Sequence, residues 1–281
     1  MGPTPTPGTR FIVLIMNNNP IGVLDSGVGG LTVLAEIVKE LPQESFIYIG
    51  DSQNTPYGTK SASEIYTLSK RLIDFLLNKQ VKLIVIACNT ITVSSLDKFR
   101  KEYPGVPIIG AVPVVKTAVA VTKNKRIGIL STTRTAQSEY QKQLIETFAD
   151  GCTVFNHGTD TLVPLIEEGK AESAEMQEVL QKALLPFQKE NIDTLALGCT
   201  HFPFLKKQIQ DVLGKNVCLL DSGGAIARHV ERVLTQTDLL SENNNSYVTI
   251  YTTGNMNIAK KLLHDTIKEQ EISFEEVKLD I

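Results

Sequence analysis

Two cysteines occupy equivalent positions in a segment that occurs twice in the chain. Residues 81–90 read VKLIVIACNT and residues 192–201 read IDTLALGCTH, so Cys88 and Cys199 each follow an apolar run and precede small polar residues. Such a run is typical of a buried strand, and the polar residues suit a helix start. A single cysteine in such a place is usually an inert buried thiol. The equivalence of the two favours a function for both.

Paired thiols are compatible with three kinds of chemistry. A redox couple usually has both cysteines in one short loop, and a thiol hydrolase needs one nucleophile with a base rather than two equivalent thiols. Inversion of a carbon centre needs one group that removes a proton from one face and a second that delivers a proton to the other. The symmetry of Cys88 and Cys199 favours this third chemistry. Because a helix N-terminus lowers a thiol pKa, we expect exposed thiols of low pKa. Such thiols are easily oxidised, so mild peroxide should inactivate the protein reversibly.

Further polar residues follow other apolar runs. Asp25 and Ser26 begin the segment DSGVGG, whose glycine spacing differs from the dinucleotide fingerprint GxGxxG and gives little support to a nicotinamide cofactor. Its glycines allow close approach to an anion, and Asp25 either caps a tight turn or faces a substrate amine or the Cys88 proton. Tyr57 and Gly58, in the segment PYG, form either a plain turn or a ligand contact.

Histidine and the remaining acidic and thiol groups complete the set of candidates. His201 lies two residues after Cys199, where an imidazole can assist proton transfer at the thiol or, alternatively, cap a helix. Glu167, in the segment VPLIEEG, is expected in a solvated turn. The chain has no CxxC pair and the other histidines have no metal-ligand spacing, so no metal site is expected. Cys152 and Cys218 are interpreted as structural.

The elements that must position these residues alternate between short apolar runs and amphipathic segments, as in βαβ units with a mostly parallel sheet. Strands are predicted at 21–24, 46–49, 83–87, 108–109, 127–130, 154–156, 194–197, 217–220 and 248–251. Helices are predicted at 31–41, 61–76, 92–103, 135–148, 173–190, 204–213, 224–235 and 256–269.

A second repeat, PIGVLDS at 20–26 and RIGILST at 126–132, precedes the cysteine segment in each half of the chain. The two repeats predict an α/β fold with two similar α/β domains related by pseudo-two-fold symmetry. Since ligands bind at the carboxyl ends of parallel strands, the active site is expected in the cleft between the domains.

Composition narrows the class of protein. Hydrophobic residues make up 42% and charged residues 21%, as in soluble globular proteins. The net charge is −3 and no basic stripe occurs, which argues against a nucleic-acid partner. The apolar run FIVLIM at 11–16 is too short for a membrane span or a secretory signal, so a cytoplasmic protein with no membrane partner is expected. The Pro/Thr-rich start predicts that residues 1–19 are a flexible leader or an added extension.

Four segments in order resemble the glutamate racemases: DSGVGG at 25–30, PYG at 56–58, ACNT at 87–90 and GCTH at 198–201. The resemblance extends from about residue 20 to residue 253. It implies that the chain interconverts L- and D-glutamate, a small-molecule substrate, without a cofactor and thereby supplies D-glutamate for bacterial peptidoglycan. The resemblance leaves open whether the protein forms a homodimer.

The resemblance also implies roles for individual residues. Cys88 would act on the D-enantiomer and Cys199 on the L-enantiomer, with assistance from Asp25, Glu167 and His201. The substrate would be held by Asp25, Ser26, Tyr57, Gly58, Asn89, Thr90, Thr200 and His201. Hydroxyl groups and backbone N–H groups at helix starts can bind carboxylates without a cationic side chain.

The family fold implies that residues 20–111 and 222–281 form the first α/β domain and residues 112–221 the second. Two stretches depart from the family pattern: DSQNT at 51–55 stands where Asp-Thr-Ala-Arg is usual, and GAVPVV at 110–115 lacks the common Pro-Gly. The residues alone do not distinguish a glutamate from an aspartate racemase. A non-catalytic amino-acid-binding module and a thiol hydrolase also remain open, and replacement of either cysteine by serine separates the binding module from a two-base enzyme.

Overall fold

The computed structural model describes residues 16–111, 114–242, 245–263, 267 and 270–279, and within these ranges the chain is built around two β-sheets. The strands are β1 (Ile21–Asp25), β2 (Phe46–Gly50), β3 (Leu83–Ile86), β4 (Ile108–Gly110), β5 (Arg126–Ser131), β6 (Thr153–Gly158), β7 (Thr194–Gly198), β8 (Cys218–Leu220), β9 (Tyr247–Thr252) and β10 (Glu271–Glu276). The first sheet has the order β10-β9-β2-β1-β3-β4 and the second β6-β5-β7-β8. Every pairing of neighbouring strands in the two sheets is parallel.

Helices connect the strands, as a parallel sheet requires. They are α1 (Leu31–Glu40), α2 (Ala62–Asn78), α3 (Asn89–Glu102), α4 (Val115–Val121), α5 (Thr133–Ala136), α6 (Glu139–Phe148), α7 (Leu162–Glu167), α8 (Ala174–Lys189), α9 (Lys206–Leu213), α10 (Gly223–Gln236) and α11 (Met256–Leu263). Short 3₁₀ turns occur at Ser52–Asn54, Tyr57–Thr59 and Phe202–Leu205. No helix in the described ranges is long and apolar enough to cross a membrane.

The two sheets repeat one arrangement, which confirms the predicted fold class. In the first sheet β1 lies between β2 and β3, and in the second sheet β5 lies between β6 and β7. The repeated sequence segments therefore form equivalent central strands. All residues of β1, β3 and β7 are buried, in agreement with their nearly continuous apolar sequences. Cys88 and Cys199 follow the carboxyl ends of β3 and β7.

Several local predictions were wrong, for identifiable reasons. The helix predicted at 92–103 begins at Asn89, so Cys88 is the residue that immediately precedes its first turn. The helix predicted at 135–148 is two helices, because Ser138 caps a new one by accepting a hydrogen bond from the Gln141 N–H.

Other elements lacked a recognisable pattern. Strand β10 alternates between exposed and half-buried residues and is rich in glutamate, and α4 and α7 have only seven and six residues. Cys152 and Cys218, interpreted as structural, differ in environment: Cys152 is partly buried and Cys218 is exposed at the start of β8. Residues 1–15 of the predicted leader and most of 264–269 in the predicted last helix lie outside the described residues.

Candidate active site

A narrow cleft lies where the carboxyl ends of the two sheets meet, with about 270 Å³ of space not filled by atoms, part of it open to solvent. The sequence-predicted residues on its wall are Ser26, Tyr57, Gly58, Cys88, Asn89, Thr90, Cys199, Thr200 and His201. Asp25 and Glu167 are not on the wall and contact residues that are. Both thiols border one small space although they belong to different sheets.

Cys88 is held by the first sheet. Its Sγ lies 3.4 Å from the Ser26 hydroxyl, and its side chain is 4% exposed. Burial is the main reason that the pKa of Cys88 is raised to about 12, and the nearby Asp25 carboxylate adds to the shift. This thiol is therefore protonated at neutral pH. The expectation of exposed thiols of low pKa was wrong in two respects: both Cys88 and Cys199 are buried, and at Cys88 burial outweighs the effect of the helix N-terminus on the pKa.

Cys199 has a different set of neighbours. Its Sγ lies 3.8 Å from His201 Nδ1, and His201 Nε2 lies 2.6 Å from Oε1 of Glu167. Burial alone would lower the pKa of His201, but hydrogen bonds to Cys199 and Glu167 and their charges raise it well above its ordinary value. The imidazole is therefore a cation at neutral pH, and it lies beside the Cys199 sulfur. The two thiols are in unlike electrostatic environments.

Glu167 is not in a solvated turn, contrary to the sequence-based expectation. It ends α7, its side chain is 8% exposed, and its Oε1 accepts a hydrogen bond of 2.7 Å from the Val28 N–H. The glycine-rich segment at 25–30 thus receives an anion through its backbone, and that anion is the protein's own Glu167. A Cβ at Gly27 would lie 1.8 Å from Glu167 Oε1, and one at Gly29 would lie 2.3 Å from His201 Nδ1. Only glycine at these two positions lets the Glu167 carboxylate and the His201 ring lie so close to the backbone.

Asp25 is fully buried behind the cleft wall. Its two carboxylate oxygens accept hydrogen bonds from the Gly27 N–H at 3.0 Å and from the Thr200 hydroxyl at 3.1 Å. Burial raises its pKa to about 6, although the His201 cation and these hydrogen bonds act in the opposite direction. Asp25 therefore changes its charge at a pH just below neutral, and it links the first sheet to the loop after Cys199.

The opposite part of the wall consists of neutral polar groups. The hydroxyls of Thr90 and Thr132 lie 2.9 Å apart, and Thr132 is 2.9 Å from Thr135. The side-chain amide of Asn89 is buried at the cleft, and both of its polar atoms lack a protein partner. Buried amides normally have partners, so Asn89 is available to a ligand. Among the residues that the structure describes, no Lys or Arg lines the cleft.

Three wall residues were not predicted from the sequence: Pro56, Thr132 and Val163. Thr132 could have been found, because it aligns with Ser26 in the repeat of β1 and β5. Pro56 stood in the recognised PYG segment, but nothing in the pattern indicated that it lines the cleft. Val163 had no signal, since an apolar residue on a short helix predicts core packing. In the described part of the chain, no group of His, Cys, Asp or Glu side chains is arranged to hold a metal ion.

Comparison with known proteins gives a consistent result. The model of the family described as Asp/Glu/Hydantoin racemase matches residues 21–230. A glutamate racemase from Pseudomonas paraeruginosa is 42% identical over 79% of this chain and 84% of that protein. A glutamate racemase from Deinococcus radiodurans is 44% identical over 79% of this chain and 77% of that protein. The structure of glutamate racemase isoform RacE1 from Bacillus anthracis superposes with a TM-score of 0.83 at 35% identity, covering 94% of this chain and 98% of that one. The structure of a Francisella tularensis glutamate racemase in complex with D-glutamate superposes with a TM-score of 0.81 at 31% identity, covering 94% of this chain and 99% of that one.

Proposed function

The chain belongs to the Asp/Glu/hydantoin racemase family, and from that premise we propose that it interconverts L-glutamate and D-glutamate by proton transfer between Cys199 and Cys88. The observation that carries the proposal is the placement of two buried thiols, at equivalent points of two sheets, on the wall of one cleft. A single-nucleophile enzyme has no use for the second thiol.

The reaction follows from the unlike environments of the thiols. The Cys199 thiolate, paired with the His201 cation, removes the α-proton of L-glutamate, so the C–H bond breaks and an S–H bond forms. The Cys88 thiol then delivers its proton to the opposite face of the α-carbon. D-glutamate is released, Cys88 is left as the thiolate, and the reverse reaction uses the same groups in exchanged roles.

Assisting groups act through the two thiols. Glu167 keeps His201 protonated and oriented, and His201 stabilises the charge on Cys199. Asp25 lies behind the cleft wall, where its charge raises the pKa of the Cys88 thiol and its carboxylate orients the Thr200 hydroxyl on the wall. Substrate carboxylates are bound by neutral donors, among them the Asn89 amide and the hydroxyls of Ser26 and Thr90, while the Thr200 hydroxyl donates to Asp25.

The remaining parts of the proposal concern organisation and cellular role. Residues 20–111 with 222–281 form one domain and residues 112–221 the other, which is supported by the membership of β1–β4, β9 and β10 in one sheet and β5–β8 in the other. The product D-glutamate is used in peptidoglycan synthesis in the cytoplasm, as the family membership suggests. Sedimentation of the purified protein tests whether it forms a homodimer.

Proton NMR in deuterated water tests the reaction directly. L-glutamate, D-glutamate and L-aspartate are incubated separately with the reduced protein without added cofactor, and the products are analysed on a chiral column. We expect loss of the α-proton signal from both glutamates together with formation of the opposite enantiomer. Exchange with aspartate alone would make the chain an aspartate racemase. No exchange with any of the three in a folded, reduced sample would refute a two-base racemase.

A further inference from the structure

Tyr57 forms part of the cleft wall, but its hydroxyl group is used elsewhere. The hydroxyl donates a 2.6 Å hydrogen bond to Oδ2 of Asp51, a residue that does not line the cleft. Tyr57 is 2% exposed, and Gly58 follows it on the wall. The position of the backbone at Tyr57 and Gly58 therefore depends on what fixes Asp51.

Asp51 is a buried carboxylate whose recorded partners are all neutral. It is 2% exposed and accepts hydrogen bonds from the Tyr57 hydroxyl, from the Asn54 amide at 3.0 Å to each oxygen, and from the Thr253 hydroxyl at 2.9 Å. Among the described residues, no Lys, Arg or His forms an ion pair with it. A buried charge without a cation relies on every donor it has, so the loss of one donor weakens the whole arrangement.

Thr253 comes from a distant part of the chain. It follows β9, which pairs with β2, and its backbone N–H donates to the Gly50 carbonyl at 3.0 Å. Its hydroxyl makes two contacts with the loop after β2: it donates to Asp51 Oδ1 and accepts the Gln53 N–H at 3.0 Å. One side chain thus holds both the carboxylate that anchors Tyr57 and the backbone of the loop that bears it.

We propose that Thr253 is a positioning residue for substrate binding, because its hydroxyl orders the Asp51–Tyr57 pair and so places the Tyr57–Gly58 wall of the cleft. The inference rests on the proposed racemase function and deepens it, since it assigns part of substrate affinity to a residue outside the cleft. It also gives a purpose to the stretch DSQNT, in which the sequence departs from the racemase pattern: Asn54 and the loop backbone complete the shell of neutral donors around Asp51 and Thr253.

The test uses near-isosteric variants of the full-length protein. Thr253→Val removes the hydroxyl and keeps the shape, and Thr253→Ser keeps the hydroxyl. Thr249→Val is the matched control on the preceding strand β9, where the hydroxyl contacts Ser273 instead. For Thr253→Val we expect KM for glutamate to rise about tenfold with kcat within about twofold, a difference in binding of about 1.4 kcal/mol. Thr253→Ser restores KM, and Thr249→Val leaves it unchanged.

A double variant shows whether the effect passes through Tyr57. If Thr253 acts by ordering the Asp51–Tyr57 pair, Tyr57→Phe and Thr253→Val together raise KM less than the product of their separate effects. The proposal is overturned if Thr253→Val leaves KM unchanged, if it lowers kcat and Tm while KM stays constant, or if the two effects multiply. Wild-type racemisation measured in parallel separates these outcomes from failure of the proposed function.

Discussion

One carboxylate oxygen connects the two halves of the cleft: Oε1 of Glu167 lies 2.6 Å from His201 Nε2 and 2.7 Å from the backbone nitrogen of Val28. The first contact keeps the imidazole beside Cys199 protonated, and the second attaches α7 to the glycine-rich turn that bears Asp25. The same atom therefore acts on the imidazole beside Cys199 and joins the two sides of the cleft.

Glu167→Gln is expected to shift the alkaline limb of the kcat/KM profile to lower pH. The pKa of His201 is raised in the folded protein, so the imidazolium and its stabilising contacts are fully present below pH 6.5 and are lost as pH rises through the folded pKa. Removal of the Glu167 charge lowers that pKa, and the cation is lost earlier. Glu168→Gln is the matched control, because Glu168 is half-exposed and pairs with Lys170. An unchanged alkaline limb in Glu167→Gln would contradict this account.

Asp25→Asn is expected to be less active and more stable above pH 6. The pKa of Asp25 rises from 3.8 to about 6 on folding, so ionisation of this carboxyl destabilises the folded state progressively from about pH 4 to pH 6 and fully above it. Asparagine carries no charge and so removes this cost. The acidic limb near pH 6 that we expect in the wild-type kcat/KM profile should be absent from the variant. Thermal unfolding of the variant and the wild type at pH 5 and pH 8 measures the effect. We expect the variant to gain more Tm over the wild type at pH 8 than at pH 5. An equal or smaller gain at pH 8 would show that charged Asp25 does not destabilise the fold.

Cys88→Ser and Cys199→Ser should each lower racemisation by about 10²- to 10⁴-fold, because serine is a far weaker acid and base than cysteine in the same place. The loss in kcat/KM must be equal in the two directions, since the enantiomers have equal free energy. Circular dichroism of the substrate follows both directions. Cys218→Ser changes an exposed thiol that is not part of the cleft wall and should retain wild-type activity. Full activity in either active-site variant would exclude a two-thiol mechanism.

Gly29→Ala should abolish activity, because the added Cβ would lie 2.3 Å from His201 Nδ1 and 2.5 Å from the Thr200 hydroxyl oxygen. The imidazole would have to move away from Cys199. Gly105→Ala provides the control, since a Cβ there meets no atom within 4 Å and the backbone needs no positive φ. Kinetics and Tm of both variants distinguish local displacement of His201 from unfolding. Wild-type kinetics in Gly29→Ala would mean that the imidazole position is not critical.

Much of this arrangement was predictable because its signals are local or repeated. Strand β3 and strand β7 are continuous apolar runs, α2 begins with a capping box at Ser61, and the two cysteine segments align residue by residue. Local spacing also identified His201 beside Cys199. These features depend on residues within a few positions of one another, where periodicity and capping determine backbone conformation.

The sequence by itself determined the α/β class, the equivalence of Cys88 and Cys199, and their position at strand ends. Only the tertiary structure decided the electrostatics of the site. Glu167 reaches Val28 across 139 residues of sequence and Thr253 reaches Asp51 across 202, and no local pattern encodes such contacts. Burial likewise reversed the expected pKa shift of Cys88, because the loss of water around a charge depends on everything that packs against it, whereas the helix start that suggested a thiolate is visible in a few residues.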